Sequence, residues 1–103
     1  MVMYKVDFEA IPWESPMDGI RCKIKKQDSR QLRLVEYTRI MEPHWCEKGH
    51  TGYLLEGQFE IKFEKEIHVF NPGDGIFIPS GKEHKHMGRV LTEVVKAIFV
   101  EDI

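Results

Sequence analysis

The sequence predicts an all-β protein, a barrel or sandwich built from about eight or nine short strands. Apolar and polar residues alternate at a spacing of two, and the helical spacing of three to four is nearly absent. Glycine, proline, asparagine and aspartate separate these segments at short intervals, as turns require. A chain of 103 residues has the size of one domain, so residues 1–103 are expected to enclose a single core.

The first part of the chain contains two long alternating segments after an irregular start. Residues 1–18 include two prolines and a tryptophan in close succession, Pro12, Trp13 and Pro16. They are predicted to be an N-terminal arm that packs on the barrel or on a partner subunit. IRCKIKK at 20–26 is predicted to be a strand whose apolar residues share one face. RQLRLVEYTRIM at 30–41 is predicted to place Leu32 and Leu34 on the face opposite its arginines.

Shorter strands are predicted for the rest of the chain. They are GYLLEG at 52–57, QFEIKFE at 58–64, IHVF at 67–70, IFIP at 76–79, HKHM at 84–87 and LTEVVKAIFVE at 91–101. The aromatic residues of these segments are predicted to lie in the core or to line the barrel, namely Phe59, Phe63, Phe77 and Phe99.

Composition and charge exclude several classes of function. The formal net charge is −2 and lysine and arginine are scattered, so the basic stripe of a nucleic-acid binder is absent. No apolar run approaches the length that crosses a membrane, and Asp7, Glu9 and Pro12 interrupt the first residues where a signal core would lie. We therefore expect a cytoplasmic protein with neither a nucleic-acid nor a membrane partner, whose two cysteines are free thiols.

The segment PHWCEKGH at 43–50 concentrates groups that bind metals. His44, Cys46 and His50 all have even numbers, so in an extended chain their side chains would share one face. Imidazole and thiolate groups are preferred ligands of zinc, copper and iron. The segment is therefore either part of a metal site or a strand that carries these groups for other reasons.

Two segments of the sequence together resemble the paired motifs of the cupin superfamily. The first lies within residues 43–57 and reads HWCEKGHTGYLLEG, and the second lies within residues 73–88 and begins GDGIFIPSGKEH. Order, internal spacing and separation all match the family pattern. The resemblance implies a single cupin domain that is folded as a double-stranded β-helix, or jelly-roll barrel.

The resemblance also implies a set of metal ligands, three imidazoles and one thiolate: His44, Cys46, His50 and His84. Cys46 stands where the family usually has histidine, His50 where it usually has glutamate, and Gly88 where the second motif usually closes with asparagine. The thiolate shifts the expected divalent metal toward zinc, with iron or nickel as alternatives. His86 is a rival ligand that could replace His44. A metal-free barrel with Cys46 as a small buried residue is the alternative interpretation.

Three functions are compatible with such a site. The first is a metal-dependent enzyme acting on a small organic molecule, with His86, Glu83 or Tyr53 as candidates for proton transfer. The second is a non-catalytic module that binds a small molecule or the metal itself, as a sensor would. The third is a structural zinc, which a closed set of four ligands typically holds. The resemblance further implies a homodimer, which would cover exposed sheet edges.

Overall fold

Nine strands and two short 3-10 helices make up residues 4–103, the part of the chain that the structure, a computed structural model, describes. The strands are β1 (Glu14–Met17), β2 (Ile20–Gln27), β3 (Arg30–Thr38), β4 (His50–Glu56), β5 (Phe59–Phe63), β6 (Ile67–Phe70), β7 (Gly75–Ile78), β8 (His86–Val90) and β9 (Val94–Asp102). The helices are η1 (Phe8–Ala10) and η2 (Lys82–His84). Within the described residues no helix has the length and apolar character needed to cross a membrane.

The strands form two antiparallel sheets that face each other. The larger sheet has the order β1-β2-β3-β9-β4-β7, and the smaller has the order β6-β5-β8. Apolar side chains from the inner faces of both sheets form one core cluster, which includes Val35, Leu54, Ile61 and Val95. The predicted all-β barrel of eight or nine strands is confirmed.

The inward face of β3 differs from the sequence-based expectation. Val35 and Tyr37 are buried on this face, and Arg33 lines the interior with them. The face that was predicted to be buried, with Leu32 and Leu34, points outward. There Leu32 lies opposite Val100 of β9, and Leu34 lies opposite Ile98 of β9. The arginine can lie inside because its charge is matched there by a carboxylate, as described below for the candidate site.

The N-terminal segment is more regular than predicted. β1 pairs with β2 at one edge of the larger sheet, in a stretch that was expected to be irregular. The Trp13 ring lies 4.1 Å from the Arg21 guanidinium carbon and 4.8 Å from the Lys23 ammonium nitrogen, so cation–π contacts hold this ring on β2. Lys23 also donates a hydrogen bond to the Phe8 carbonyl oxygen at 2.8 Å. Residues 1–3 of the predicted arm lie outside the described residues.

Phe77 does not join the core, contrary to the expectation from the sequence. Its neighbours on β7, Ile76 and Ile78, are buried against the interior, at 1% and 5% exposed. Because side chains alternate along a strand, Phe77 must point outward, and it is 85% exposed. The other aromatic residues of the prediction behave as expected, since Phe59 and Phe99 are buried and Phe63 packs against the core.

We expect Leu54→Ala to lower the free energy of unfolding by about 2–5 kcal/mol, because Leu54 is fully buried and its removal leaves a cavity. Urea unfolding followed by tryptophan fluorescence measures this change. Leu55→Ala is the matched control on the same strand. Leu55 is 43% exposed, so a change within about 0.5 kcal/mol is expected there. Equal losses in the two variants would contradict the assigned inward face of β4.

Candidate metal centre

Cys46 and His86 are brought together by their own backbones. The Cys46 amide donates to the His86 carbonyl at 2.8 Å, and the His86 amide donates to the Cys46 carbonyl at 2.9 Å. This antiparallel bridge is the one point at which the segment between Met41 and Gly49 pairs with a strand. Residues that exchange both hydrogen bonds lie directly opposite each other, so the two side chains leave the bridge side by side.

His50 completes a cluster with this pair. It is the first residue of β4, and its ring lies edge-on to the His86 ring with a centroid separation of 5.2 Å. One ligand atom from each of Cys46, His50 and His86 lies within 4.8 Å of the others. Ligands around a tetrahedral zinc ion are about 3.3–3.7 Å apart, given bond lengths of about 2.0–2.3 Å. Small side-chain rotations would therefore bring the three atoms to coordinating distance.

The His86 ring is buried and has one nitrogen without a partner. The residue is 5% exposed, and its Nδ1 lies 3.0 Å from the His84 carbonyl oxygen, to which it donates. Its buried Nε2 finds no hydrogen-bond partner among residues 4–103. A buried polar atom without a partner costs free energy unless a ligand satisfies it.

The protonation of His86 suits a metal ligand. Burial lowers the pKa of His86 below its ordinary value of 6.5, and the nearby imidazoles of His50 and His44 lower it further. The hydrogen bond to the His84 carbonyl opposes this shift without reversing it. The ring is consequently neutral at pH 7, with a lone pair on Nε2, and this is the form in which histidine binds metals.

A hydrogen bond of His50 likewise indicates which of its ring nitrogens carries the hydrogen. Its Nδ1 lies 2.7 Å from the Glu101 carboxylate oxygen Oε2, which can only accept a hydrogen bond while the carboxylate is ionised. In the neutral form of an imidazole, a hydrogen on Nδ1 leaves the lone pair on Nε2. His44 shows the same pattern, since its Nδ1 lies 3.2 Å from the Glu42 carbonyl oxygen. These tautomers follow from the hydrogen-bond network.

Glu101 is held as a charged group inside the protein. Burial raises its pKa, but hydrogen bonds from His50 and Arg33 outweigh burial and hold the pKa of Glu101 well below its usual range. Arg33 donates through Nε and Nη2, both at 2.8 Å. Burial lowers the pKa of Arg33, yet its hydrogen bonds to Glu101 raise the value above that of a free arginine. Both groups are therefore ionised at neutral pH.

The structure gathers two of the four ligands that the resemblance implied. Cys46 and His50 belong to the cluster, and His86 stands beside them where His84 was expected. His84 ends η2, its side chain is 41% exposed, and its Nε2 lies 3.8 Å from the Glu83 carboxylate. Because η2 is not extended, residues 84 and 86 do not share a face as they would in a strand. His44 is exposed and lies outside the cluster, although it lines the same cavity.

The cluster faces a cavity of about 560 Å³ between the two sheets. The polar part of its lining consists of the cluster and three neighbouring residues, Glu101, Arg33 and Tyr37. The remaining walls are mainly apolar and include Ile20, Ile24, Met41, Phe59, Ile61, Ile76 and Phe99. Cavities of this size with few converging polar groups are the usual form of small-molecule sites.

Arg33, Tyr37 and Glu101 line this cavity but are not among the site residues predicted from the sequence. Arg33 and Tyr37 share the parity of Val35 on β3, and this alternation is the signal that could have placed them inside. Glu101 lies 68 positions from Arg33 along the chain, and nothing local marks it as a partner. Tyr53, 47% exposed, is absent from the cavity wall, as is Glu83, whose side chain is 74% exposed.

Comparison with known proteins relates this architecture to a protein family and to solved structures. A model of the cupin domain family matches residues 34–101. No curated protein gives a significant match to the chain. KdgF from Halomonas sp. has a similar solved structure, with a TM-score of 0.74 and 24% sequence identity, over 91% of this chain and 89% of that chain.

Two further solved structures share the fold. The polyketide cyclase RemF from Streptomyces resistomycificus has a TM-score of 0.76 and 20% identity, over 98% of this chain and 80% of that one. An RmlC-like cupin from Shewanella frigidimarina NCIMB 400 has a TM-score of 0.75 and 17% identity, over 98% and 91%. At these identities the likeness establishes the fold alone, which is the jelly-roll barrel that the motifs predicted. The family match over residues 34–101 covers well over half of the sequence, and the chain therefore belongs to the cupin family.

Proposed function

We propose that this cupin binds one divalent metal ion through Cys46, His50 and His86 and acts as a metal-dependent enzyme on a small organic molecule. The observation that carries the proposal is the buried Nε2 of His86, which lacks a partner among the described residues. It lies beside two further groups of the type that metals prefer, and all three face the cavity. A metal ion would satisfy this nitrogen and would present itself to a molecule in the cavity.

The donor set fits zinc, with iron or nickel as alternatives. Two imidazoles and one thiolate are borderline or soft ligands, which favours these metals over magnesium or manganese. When bound, the ion would supply Lewis acidity toward a substrate oxygen or, if it is iron, reactivity toward dioxygen. A reducing compartment such as the cytosol would keep Cys46 a free thiol, which would release its proton on binding the metal.

The number of ligands favours an enzyme over a structural site. Catalytic zinc sites typically have three protein ligands and leave one position for water or substrate, whereas structural sites are closed by four. The cluster contains three. The second candidate function, a non-catalytic binding or sensor protein, depends on His44, which lines the cavity and would close the site if it became the fourth ligand.

Two residues beside the cluster would contact the bound molecule. Burial raises the pKa of Tyr37 above its ordinary value of 10.0, and Arg33, which lowers it, does not cancel the effect. Tyr37 therefore stays a neutral phenol that can donate a hydrogen bond. Together with the Arg33 cation, it favours a substrate with an oxygen-bearing head near the metal and an apolar body along Phe59 and Phe99.

We expect protein purified without chelator to contain about one metal ion per chain, and His86→Ala to lose at least about 100-fold in zinc affinity. That loss exceeds the 10–100-fold typical of a residue that only supports a ligand. His84→Ala is the matched control, since His84 is two residues away and outside the cluster. Elemental analysis and competition with a chromophoric chelator measure both. Metal loss in His84→Ala with retention in His86→Ala would overturn the proposed ligand set.

An open coordination position gives a second expected result. In cobalt-substituted protein, azide should change the visible absorption spectrum, because an exogenous anion can occupy the position that the three protein ligands leave open. A spectrum that responds to azide only in His44→Ala would show that His44 closes the site. That result would favour the non-catalytic alternative over the enzyme.

We also propose that the protein forms a homodimer through the outer face of the larger sheet. Three apolar residues, Leu32, Val100 and Phe77, lie on this face. Leu32 pairs with Val100, and Thr51 pairs with both Val100 and Phe77. β7 is the edge strand, and its exposed Phe77 extends this apolar surface to the edge. A second copy would cover both the edge and the surface.

We expect Phe77→Glu to convert the dimer to a monomer, because a buried carboxylate without a partner opposes association. Light scattering coupled to size-exclusion chromatography measures the mass. Ile40→Glu is the control, since Ile40 is 74% exposed and lies outside β3 and β7. A wild-type protein that is monomeric at micromolar concentration would refute the dimer.

A further inference from the structure

The Glu101 carboxylate is fully used by donors from its own chain. Oε1 accepts hydrogen bonds from Gln31 Nε2 and Arg33 Nε, both at 2.8 Å. Oε2 accepts from Arg33 Nη2 at 2.8 Å and from His50 Nδ1 at 2.7 Å. An ionised carboxylate has about four lone-pair directions, so this group has none left for a metal ion.

The position of Glu101 follows from the strand pairing. On β9 it lies directly opposite Gln31 of β3, and Arg33 is the diagonal neighbour two residues further along β3. On the other side of β9, the next residue Val100 pairs with Thr51 of β4, which places His50 beside Glu101. The carboxylate thus joins three adjacent strands on their inward faces, and the side chains of Glu101, Arg33 and His50 are only 10%, 14% and 16% exposed.

We propose that Glu101 is the positioning residue of the metal centre. It fixes the hydrogen of His50 on Nδ1 and the orientation of the ring, so that the Nε2 lone pair points to Cys46 and His86. Arg33 and Gln31 hold the carboxylate in the place from which it does this. The inference rests on the proposed metal site and assigns a residue that supports it without touching the ion.

Charge and shape both require a carboxylate here. A glutamine at position 101 would have one oxygen and one NH2 group, whereas the four hydrogen bonds to Glu101 all come from donor groups, on Gln31, Arg33 and His50. If the NH2 group faced His50, the ring would have to accept at Nδ1 and carry its hydrogen on Nε2. The Nε2 atom would then have no lone pair with which to bind a metal. If the NH2 group faced Arg33 and Gln31, donors would oppose donors and the amide would be displaced.

The test compares Glu101→Gln with Glu36→Gln. Glu36 is also largely buried, its side chain being 12% exposed, and Arg21 donates to it through Nε and Nη2, but no histidine contacts it in the described structure. Two quantities are measured: zinc affinity by competition with a chromophoric chelator, and the tautomer of His50 by nitrogen-15 NMR of the metal-free protein. Supporting residues of metal-bound histidines typically contribute 10–100-fold in affinity.

We expect Glu101→Gln to bind zinc about 10–100-fold more weakly and to lose the Nδ1–H form of His50, while Glu36→Gln keeps both. Unchanged affinity and tautomer in Glu101→Gln would overturn the inference. Equal loss of affinity in both variants would also overturn it, because a general loss of stability would then be the cause.

Two further measurements distinguish a failure of this inference from misfolding of the variant and from a failure of the proposed metal site. If Glu101→Gln does not fold, Arg33→Met combined with Glu101→Leu replaces the buried ion pair by apolar groups, a change that often preserves folding. In this double variant we also expect weaker zinc binding and loss of the Nδ1–H form of His50. If the wild-type protein binds no metal, the proposed function fails, and the tautomer in the metal-free protein still decides whether Glu101 positions His50.

Discussion

The buried ion pair between Arg33 and Glu101 is the interaction on which the rest of the site depends. Removing two charges from water costs several kcal/mol per ion, and this cost is offset only where the geometry satisfies both groups. Here the guanidinium offers two parallel hydrogen bonds, and Gln31 and His50 complete the shell of the carboxylate. The same pair places β3 with Arg33 inward, and it orients an imidazole that belongs to another strand.

A second constraint is the backbone bridge between Cys46 and His86. The loop that carries Cys46 has no regular strand of its own, and two amide hydrogen bonds fix it against the start of β8. The candidate metal centre is thus assembled from three separate points of the chain: a loop and the first residues of β4 and β8. Each histidine of the cluster has its Nδ1 beside an oxygen acceptor, so a hydrogen on Nδ1 would leave the Nε2 lone pair available to a metal ion.

The sequence predicted most of the fold because apolar and polar residues alternate clearly in strands that have one face exposed to solvent. On β5, Phe59 and Ile61 are buried with Glu60 between them, as the pattern indicated. The prediction was wrong where an inward face carries polar groups, as on β3, or where an outward face carries an aromatic one, as at Phe77. Spacing within the motif pointed to His84 as a ligand, and that assignment stays a prediction. The 3-10 helix η2 places His86 rather than His84 beside Cys46 and His50, and spacing alone does not reveal such a turn.

The departure of this chain from the usual cupin pattern at Gly88 fits the same account. A Cβ atom at Gly88 would lie 2.4 Å from the ring of Phe59, so the asparagine expected from the family pattern has no room beside it. Phe59 in turn stacks on Tyr37, with ring centroids 4.9 Å apart, and forms an apolar wall of the cavity. A side chain at position 88 therefore cannot support the histidines. Polar support for His50 comes instead from β9 on the opposite sheet, where the Glu101 carboxylate accepts a hydrogen bond from His50 Nδ1.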